Sequence, residues 1–294
     1  MIKNLFFLLA SVSLYSFSSD PRTVQEEIEH RWNAFQERLQ FAPFKAGRNS
    51  EGLLEEFCEI EKTRKSIWET PCFERAEHLL VGDFVRAPGC SAFDYNNVAL
   101  NFNASWILLG GERYIACEGP RSKDIPNFFR MLQREKVTHL VRLTDSYEGE
   151  TKKCHPYWDG LLASAADGSQ LLEIPTEQGT YPVHAYNLDH WRDNQGIDPK
   201  ELLEFVLEVR ESWRKKPGLM AVHCSAGVGR TGTFLASLAI LDAIDRGEPF
   251  SIEEIVYRLS LQRVYSVGRG AQYVTLHRLA EIYAESKAPG SPRG

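Results

Sequence analysis

The chain has 294 residues, 43% hydrophobic and 25% charged, with a formal charge of −6 at pH 7. That is enough apolar sequence to bury a substantial core, and a single large catalytic domain fits it better than two small ones. The acidic balance argues against a general nucleic-acid or anionic-membrane surface, since neither polyanion is attracted overall.

Residues 1–19 carry Lys3, an apolar run through Ala10, and then small and aromatic residues up to Asp20. The run is too short to span a bilayer and reads as a secretory signal peptide, so the expectation is an exported protein with no stable membrane insertion after cleavage. Residues 20–40 and 50–68 show helical spacing with heavy charge, separated by the Pro43–Gly47 break, and are expected to be packing helices without a site. Residues 98–117 alternate and carry Gly110-Gly111 between apolar flanks, the signal of a hairpin. Asp124–Glu135 then reads as a helix and Val137–Leu143 as a buried strand. Strands alternating with helices imply an α/β fold around a mixed, twisted sheet. The expected division is a signal segment 1–19, an N-terminal helical segment 20–50, a catalytic domain 51–287 and a flexible tail 288–294.

Cysteine usage is sparse. Cys58, Cys72, Cys90, Cys117, Cys154 and Cys224 form no close C-x2-C pair, which argues against a zinc cluster, and a chain of this size needs no disulfide framework. No metal and no cofactor is implied.

The most informative segment is His223–Gly232, HCSAGVGRTG. Leu219–Val222 before it reads as the end of a buried strand, and Thr231–Ala243 after it as an apolar helix. The loop places Cys224 and Arg230 at the two ends of Ser225, Ala226, Gly227, Val228 and Gly229, whose N–H groups can line an anion-binding nest at a helix N-terminus. The same field favours Cys224 as a thiolate, turning an anion site into a nucleophile site. Thr231 follows the arginine, and its hydroxyl is expected to donate to the Cys224 sulfur. A thiolate attack on a phosphate monoester also needs a proton donor for the leaving oxygen. Asp193, in HWRDNQG, is the candidate, with Trp191 and Gly196 as anchor and hinge of a closing loop and Asp189 as a competing acid.

HCSAGVGRTG resembles the phosphate-binding loop of the tyrosine-specific protein phosphatases. The blocks Asn103–Ile107, Tyr114–Pro120, Asn127–Leu132, Lys153–Trp158, Trp191–Asp193 and Gln272-Tyr273 resemble that family's other motifs, in its order. The resemblance implies a phosphocysteine on Cys224, Asp193 as the acid on a mobile loop, and His223 tuning the nucleophile. Glu148 would brace Arg230 in a bidentate pair, Lys153 would approach the mouth, and Gln272 would position the hydrolytic water. It also implies a phosphotyrosyl protein substrate and a monomer, and, for an exported member whose reactive thiol needs a reducing compartment, a bacterial effector acting in a host cell.

The chain departs from the family pattern at several positions. Arg192 replaces the proline of the acid loop, Gly268 replaces the first of two water-positioning glutamines, and Ala87 stands where a tyrosine grips the phosphotyrosine ring. The aspartate that holds the peptide backbone falls near Gly89. Tyr95 or Phe93 are the available aromatic substitutes. These departures keep two other readings open, a phosphoprotein-binding module with weak turnover and a phosphoinositide phosphatase.

Overall fold

Residues 21–36, 39–69, 89–99 and 101–288 are described by the computed structural model. The signal-like segment, the Ala87 position, Cys72 and residues 289–294 lie outside them. Both charged segments form helices, α1 (Pro21–Gln36) and α2 (Ser50–Trp68). The Asn49 side chain accepts from the Gly52 N–H and starts α2, satisfying one donor that the helix itself leaves unpaired. Trp32 and Phe35 of α1 and Leu53, Phe57 and Ile60 of α2 join one core with later elements. The division expected at residue 50 therefore falls at the first turn of a helix, inside a continuous core.

The amphipathic pattern of α2 conceals a second role. Arg64 is buried on that helix and donates from Nη1 to the Ser266 carbonyl at 2.8 Å and from Nη2 to the Val267 carbonyl at 3.2 Å. Tyr265 and Val267 stand at φ 55° and 54°, a left-handed conformation that is strained for a β-branched residue and persists only where surrounding contacts impose it. A helix expected to pack without a site thus holds the loop leading to Gly268.

The remaining elements are β1 (Asn97–Ala99), β2 (Phe102–Leu109), β3 (Glu112–Cys117), α3 (Ile125–Arg134), β4 (Val137–Arg142), a small hairpin of β5 (Tyr147–Glu148) and β6 (Thr151–Lys152), β7 (Leu162–Ser164), β8 (Gln170–Thr176), β9 (Gly179–Asn187), α4 (Pro199–Lys215), β10 (Leu219–His223), α5 (Gly229–Arg246), α6 (Ile252–Gln262) and α7 (Gly270–Lys287). The eight-stranded sheet runs β1-β2-β3-β10-β4-β9-β8-β7. Its middle, β3-β10-β4-β9, is parallel, and both flanks are antiparallel. This is the mixed sheet expected from the alternation of strands and helices.

The apolar run of β10 is explained by burial on both faces. Met220 and Val222 enter the core under α4, α5 and α7, while Ala221 enters the opposite core with Phe128, Met131 and Leu132 of α3. β10 comes last of the strands yet inserts between β3 and β4, so its carboxyl end opens where the chain order of the sheet changes, the usual ligand position in such sheets. The β2–β3 hairpin turns at Gly110 and Gly111, both at positive φ, as the sequence signal requires. Its alternation does not mark a solvent face. Every residue of β2 is buried, and its polar Asn103 and Ser105 point into a polar interior described below. No helix among the described residues is long and apolar enough to cross a membrane, and the described cysteines are all free.

His139 on β4 stacks on His184 of β9, with ring centroids 5.1 Å apart, and is buried. Burial, with His184 and Lys216 adding to it, pulls its pKa down to about 4. The folded state therefore binds this proton less readily than the unfolded chain, whose histidine titrates near ~6.5. Stability is complete above that value and is lost as pH falls from there toward 4, by on the order of 2–3 kcal/mol from this residue. Urea midpoints measured across that range are expected to fall, and His139→Gln is expected to flatten the slope. An unchanged slope in the variant would remove His139 from the acid response.

Candidate active site

Between β10 and α5, residues 224–229 wind into a cup whose carbonyls are all engaged from outside. His223 Nδ1 donates to the Cys224 carbonyl at 3.0 Å and the Gly119 N–H to that of Ser225 at 2.9 Å. Arg263 reaches the Ala226 carbonyl with Nη2 at 3.2 Å and the Gly227 carbonyl with Nε at 3.1 Å. The Gly232 N–H takes the Val228 carbonyl at 2.7 Å and Thr233 Oγ1 the Gly229 carbonyl at 2.9 Å. In a planar trans peptide the carbonyl and the following N–H point opposite ways, so carbonyls held outward turn the N–H groups inward. No N–H from Ser225 to Arg230 has an acceptor among the described residues. The result is a ring of backbone donors at the N-terminus of α5, where the helix dipole also favours an anion.

Glycines permit this curvature where nothing else fits. Gly227 has φ 71°, and a Cβ there would lie 2.0 Å from the Cys117 carbonyl oxygen. A Cβ on Gly119 would lie 2.4 Å from the Cys224 carbonyl oxygen. The cup therefore closes directly against the carboxyl end of β3.

Arg230 completes the rim, fully buried. Nη1 donates to Glu148 Oε1 at 2.9 Å and to the Trp191 carbonyl at 2.5 Å, whereas Nε and Nη2 make no hydrogen bond among the described residues, Nη2 standing only in an ion pair with Asp193. The expected bidentate brace from Glu148 is thus not made. One nitrogen, through its two N–H bonds, serves both the glutamate and the acid loop, and this leaves the Nε–Nη2 edge of the guanidinium as two buried donors of the spacing a phosphate accepts. Glu148 spends its other capacity on the Asp193 N–H, 3.1 Å from both oxygens.

The acid loop lies over the cup. Asp193 Oδ1 is 3.2 Å from Arg230 Nη2, and Oδ2 accepts from Lys153 Nζ at 2.9 Å. Burial alone would push the Asp193 pKa up, but the Lys153 hydrogen bond and the charges of Arg230 and Lys153 outweigh it, and the net is below the usual carboxylate value. Trp191 is buried, with its indole N–H on the Gln195 carbonyl at 2.9 Å, and it anchors one end of the loop as expected. Gly196 presses on the first turn of α7, where a Cβ would come within 2.9 Å of Thr275 Oγ1. Arg192 is exposed. Asp189 is turned to the Asn187 amide and toward His190, away from this cluster.

Other expected residues fall in differing places. Gln272 is buried against the cup, where a Cβ on Gly229 would be 3.0 Å from its Oε1, an atom with no hydrogen-bond partner among the described residues. A Cβ on Gly268 would lie 3.7 Å from Gly229 Cα, so that position also faces the rim and carries no side chain to use it. The hydrogen bond expected from Thr231 to the Cys224 sulfur is not formed, because Thr231 Oγ1 is buried without a partner among the described residues. Nor do Phe93 and Tyr95 supply an aromatic wall. Phe93 is fully buried in the core, while Tyr95 gives its hydroxyl to the Leu261 carbonyl and its face to Arg31.

The polar frame behind the cup was missed in the sequence. Asn103 Oδ1 and Ser105 Oγ accept from Arg263 Nη1 at 2.7 Å and 3.1 Å, which aims the guanidinium at the loop carbonyls. Asn103 Nδ2 donates in turn to the buried Glu118 at 3.1 Å. Beyond the resemblance of the Asn103–Ile107 block, the signal was two polar residues, at 103 and 105, in a strand otherwise apolar. Tyr157, in a motif quoted for its resemblance but given no role, lies 2.7 Å from His223 Nε2. Since Nδ1 donates to a carbonyl, Nε2 is the ring nitrogen left to meet the Tyr157 hydroxyl, and burial keeps that phenol protonated.

The chain matches the protein-tyrosine phosphatase family over residues 83–172 and 169–281. It is 30% identical over 225 residues to human receptor-type tyrosine-protein phosphatase C, across 65% of this chain and 17% of that protein. It is 30% identical over 250 residues to human tyrosine-protein phosphatase non-receptor type 13, across 74% of this chain and 10% of that protein. To the human protein named phosphatidylinositol phosphatase PTPRQ it is 28% identical over 272 residues, across 81% of this chain and 11% of the relative. The chain therefore spans only a small part of the length of these relatives. The family match runs through the whole parallel core of the sheet and the helix behind the cup, and the chain belongs to the protein-tyrosine phosphatase family.

Proposed function

We propose that the protein hydrolyses phosphate monoesters, foremost phosphotyrosine in proteins, through a phosphocysteine on Cys224. The observation that carries this reading is the cup itself, six inward N–H groups and an edge of a buried arginine whose Nε and Nη2 make no hydrogen bond among the described residues, with a cysteine at its start. The N–H groups and the Arg230 edge hold the three non-bridging oxygens, and the Cys224 thiolate attacks phosphorus in line. The phosphorus–oxygen bond to the alcohol breaks as protonated Asp193 gives its proton to the leaving oxygen. Water then attacks the phosphocysteine, Asp193 takes the water proton, Gln272 orients the water, and the thiolate leaves with release of inorganic phosphate. Rapid quenching after mixing with a phosphotyrosyl peptide is expected to show one added phosphoryl group on the peptide containing Cys224. Hydrolysis by Cys224→Ser at the wild-type rate would overturn the reading.

The lowered Asp193 pKa gives the proposal a pH signature. A general acid works in its protonated form, so the alkaline limb of kcat against pH follows this group. Lys153→Met removes a hydrogen bond and a charge that hold the pKa down, and the limb is expected to move to higher pH. An unmoved limb would assign the proton to another group.

A phosphoinositide substrate is the second reading, favoured by the name of the third relative above. Rates on phosphotyrosyl peptides against phosphatidylinositol phosphates decide between the two. The character of residues 1–19 supports export and action on host phosphoproteins, tested by sequencing the N-terminus of the protein recovered outside the producing cell.

A further inference from the structure

We propose that Arg269 is a positioning residue that latches the acid loop over the cup through Asn194. The inference rests on the phosphatase reading above. Asn194 directly follows Asp193 and stands at φ 60°, in the left-handed region that asparagine adopts more readily than most residues. Its N–H donates to Asp193 Oδ1 at 3.2 Å, and its Oδ1 accepts from Arg269 Nε at 3.0 Å. The residue that orients the acid is therefore held from the opposite rim of the cup.

Arg269 is well placed for this. It is the N-cap residue of α7, in extended conformation, and its carbonyl accepts the N–H groups of Gln272 at 3.0 Å and Tyr273 at 3.1 Å. Its backbone is consequently fixed while its side chain crosses to the loop. The same helix start seats the far end of the loop, where Thr275 Oγ1 donates to the Ile197 carbonyl at 3.2 Å and Gly196 packs on Ala271. Arg269 adds a link between this platform and the residue beside the acid, and it stands next to Gly268, which has no side chain to offer the rim. The inner contacts of Asp193 are with Arg230 and Lys153, and a bound phosphate dianion competes for the Arg230 donors. The outer contact to Asn194 is independent of that competition, so it keeps the loop shut when substrate is present.

A latch differs from a cation that merely attracts anionic substrate. The latch acts on the proton-donating step, so its loss lowers kcat, and more for phenyl phosphate, whose phenoxide needs the proton, than for p-nitrophenyl phosphate. Arg269→Ala and Asn194→Gly are each expected to lower kcat on phenyl phosphate by about 3- to 10-fold, the size of one hydrogen bond at an exposed site. Glycine keeps the left-handed turn and leaves the arginine charge in place. The double variant is expected to be no worse than either single one, and Arg269→Lys to recover part of the loss. Hydrogen exchange at the Asp193 amide is expected to quicken in both single variants. Normal kcat on phenyl phosphate in Asn194→Gly, with a raised KM only in Arg269→Ala, would overturn the latch and make Arg269 a substrate-attracting charge. If the wild-type protein releases phosphate from neither ester, it is the phosphatase reading that fails.

Discussion

Arg230→Lys is expected to lower kcat/KM for a phosphotyrosyl peptide by about 10³-fold while leaving the protein folded. The guanidinium does three things at once. Nη1 holds Glu148, which positions the Asp193 backbone, and also the Trp191 carbonyl, which closes the acid loop, and the other edge presents two donors to phosphate. A lysine has a single charged nitrogen, so it serves either the loop or the phosphate and cannot span both. Glu148 is about a quarter exposed and can recover water when its partner is lost, which limits the cost in stability. Steady-state kinetics alongside a thermal melt test this. Activity within tenfold of wild type would show that the backbone donors suffice without the planar fork.

Asp193→Ala is expected to lower kcat on phenyl phosphate and on phosphotyrosyl peptides by about 10²- to 10⁴-fold, and to matter far less for p-nitrophenyl phosphate. Good leaving groups depart without a proton, so the ratio between substrates reports acid catalysis separately from damage to the cup. Binding is expected to persist, because the substitution removes a carboxylate 3.2 Å from Arg230 Nη2 that opposes an incoming dianion. The alkaline limb of the pH profile should vanish with the acid. Full activity on phenyl phosphate in this variant would remove Asp193 from the mechanism, and the exposed Asp189, occupied with Asn187, would be the next residue to test.

The parts of the site visible in the sequence are those built from contiguous residues. The strand, loop and helix around Cys224 form a local pattern, because an apolar run, two glycines and an arginine six residues on are set by backbone geometry over ten positions. The acid loop was visible for the same reason, with Trp191, Asp193 and Gly196 in one short segment. Lys153 and Glu148 were placed by resemblance, and the structure brings both to the cup, although Glu148 uses one bond to Arg230 where two were expected.

The errors have a common cause. Alternation in β2 reports which face is apolar and not what covers the other face, so it did not mark Asn103 and Ser105 as buried. Nothing local marked Arg64 and Arg263, because their acceptors are carbonyls about 200 and 40 residues away, a separation no local pattern carries. Tyr95 and Phe93 were suitable in kind and misplaced in space, since Arg31 of α1 and the Leu261 carbonyl of α6 hold Tyr95 and Phe93 is fully buried in the core.

By itself, then, the order of amino acids determined the fold class through short-range periodicity and turn chemistry, and it singled out the Cys224 loop and, through resemblance to a family motif, Asp193 as candidates. Only the tertiary structure decided which way the loop's peptide groups face, which edge of Arg230 is left for phosphate, and what holds the acid in place. Those outcomes depend on Arg263, Gly119, Glu148 and Arg269 arriving from separate elements, and long-range hydrogen bonds between buried groups leave no periodic trace in a sequence.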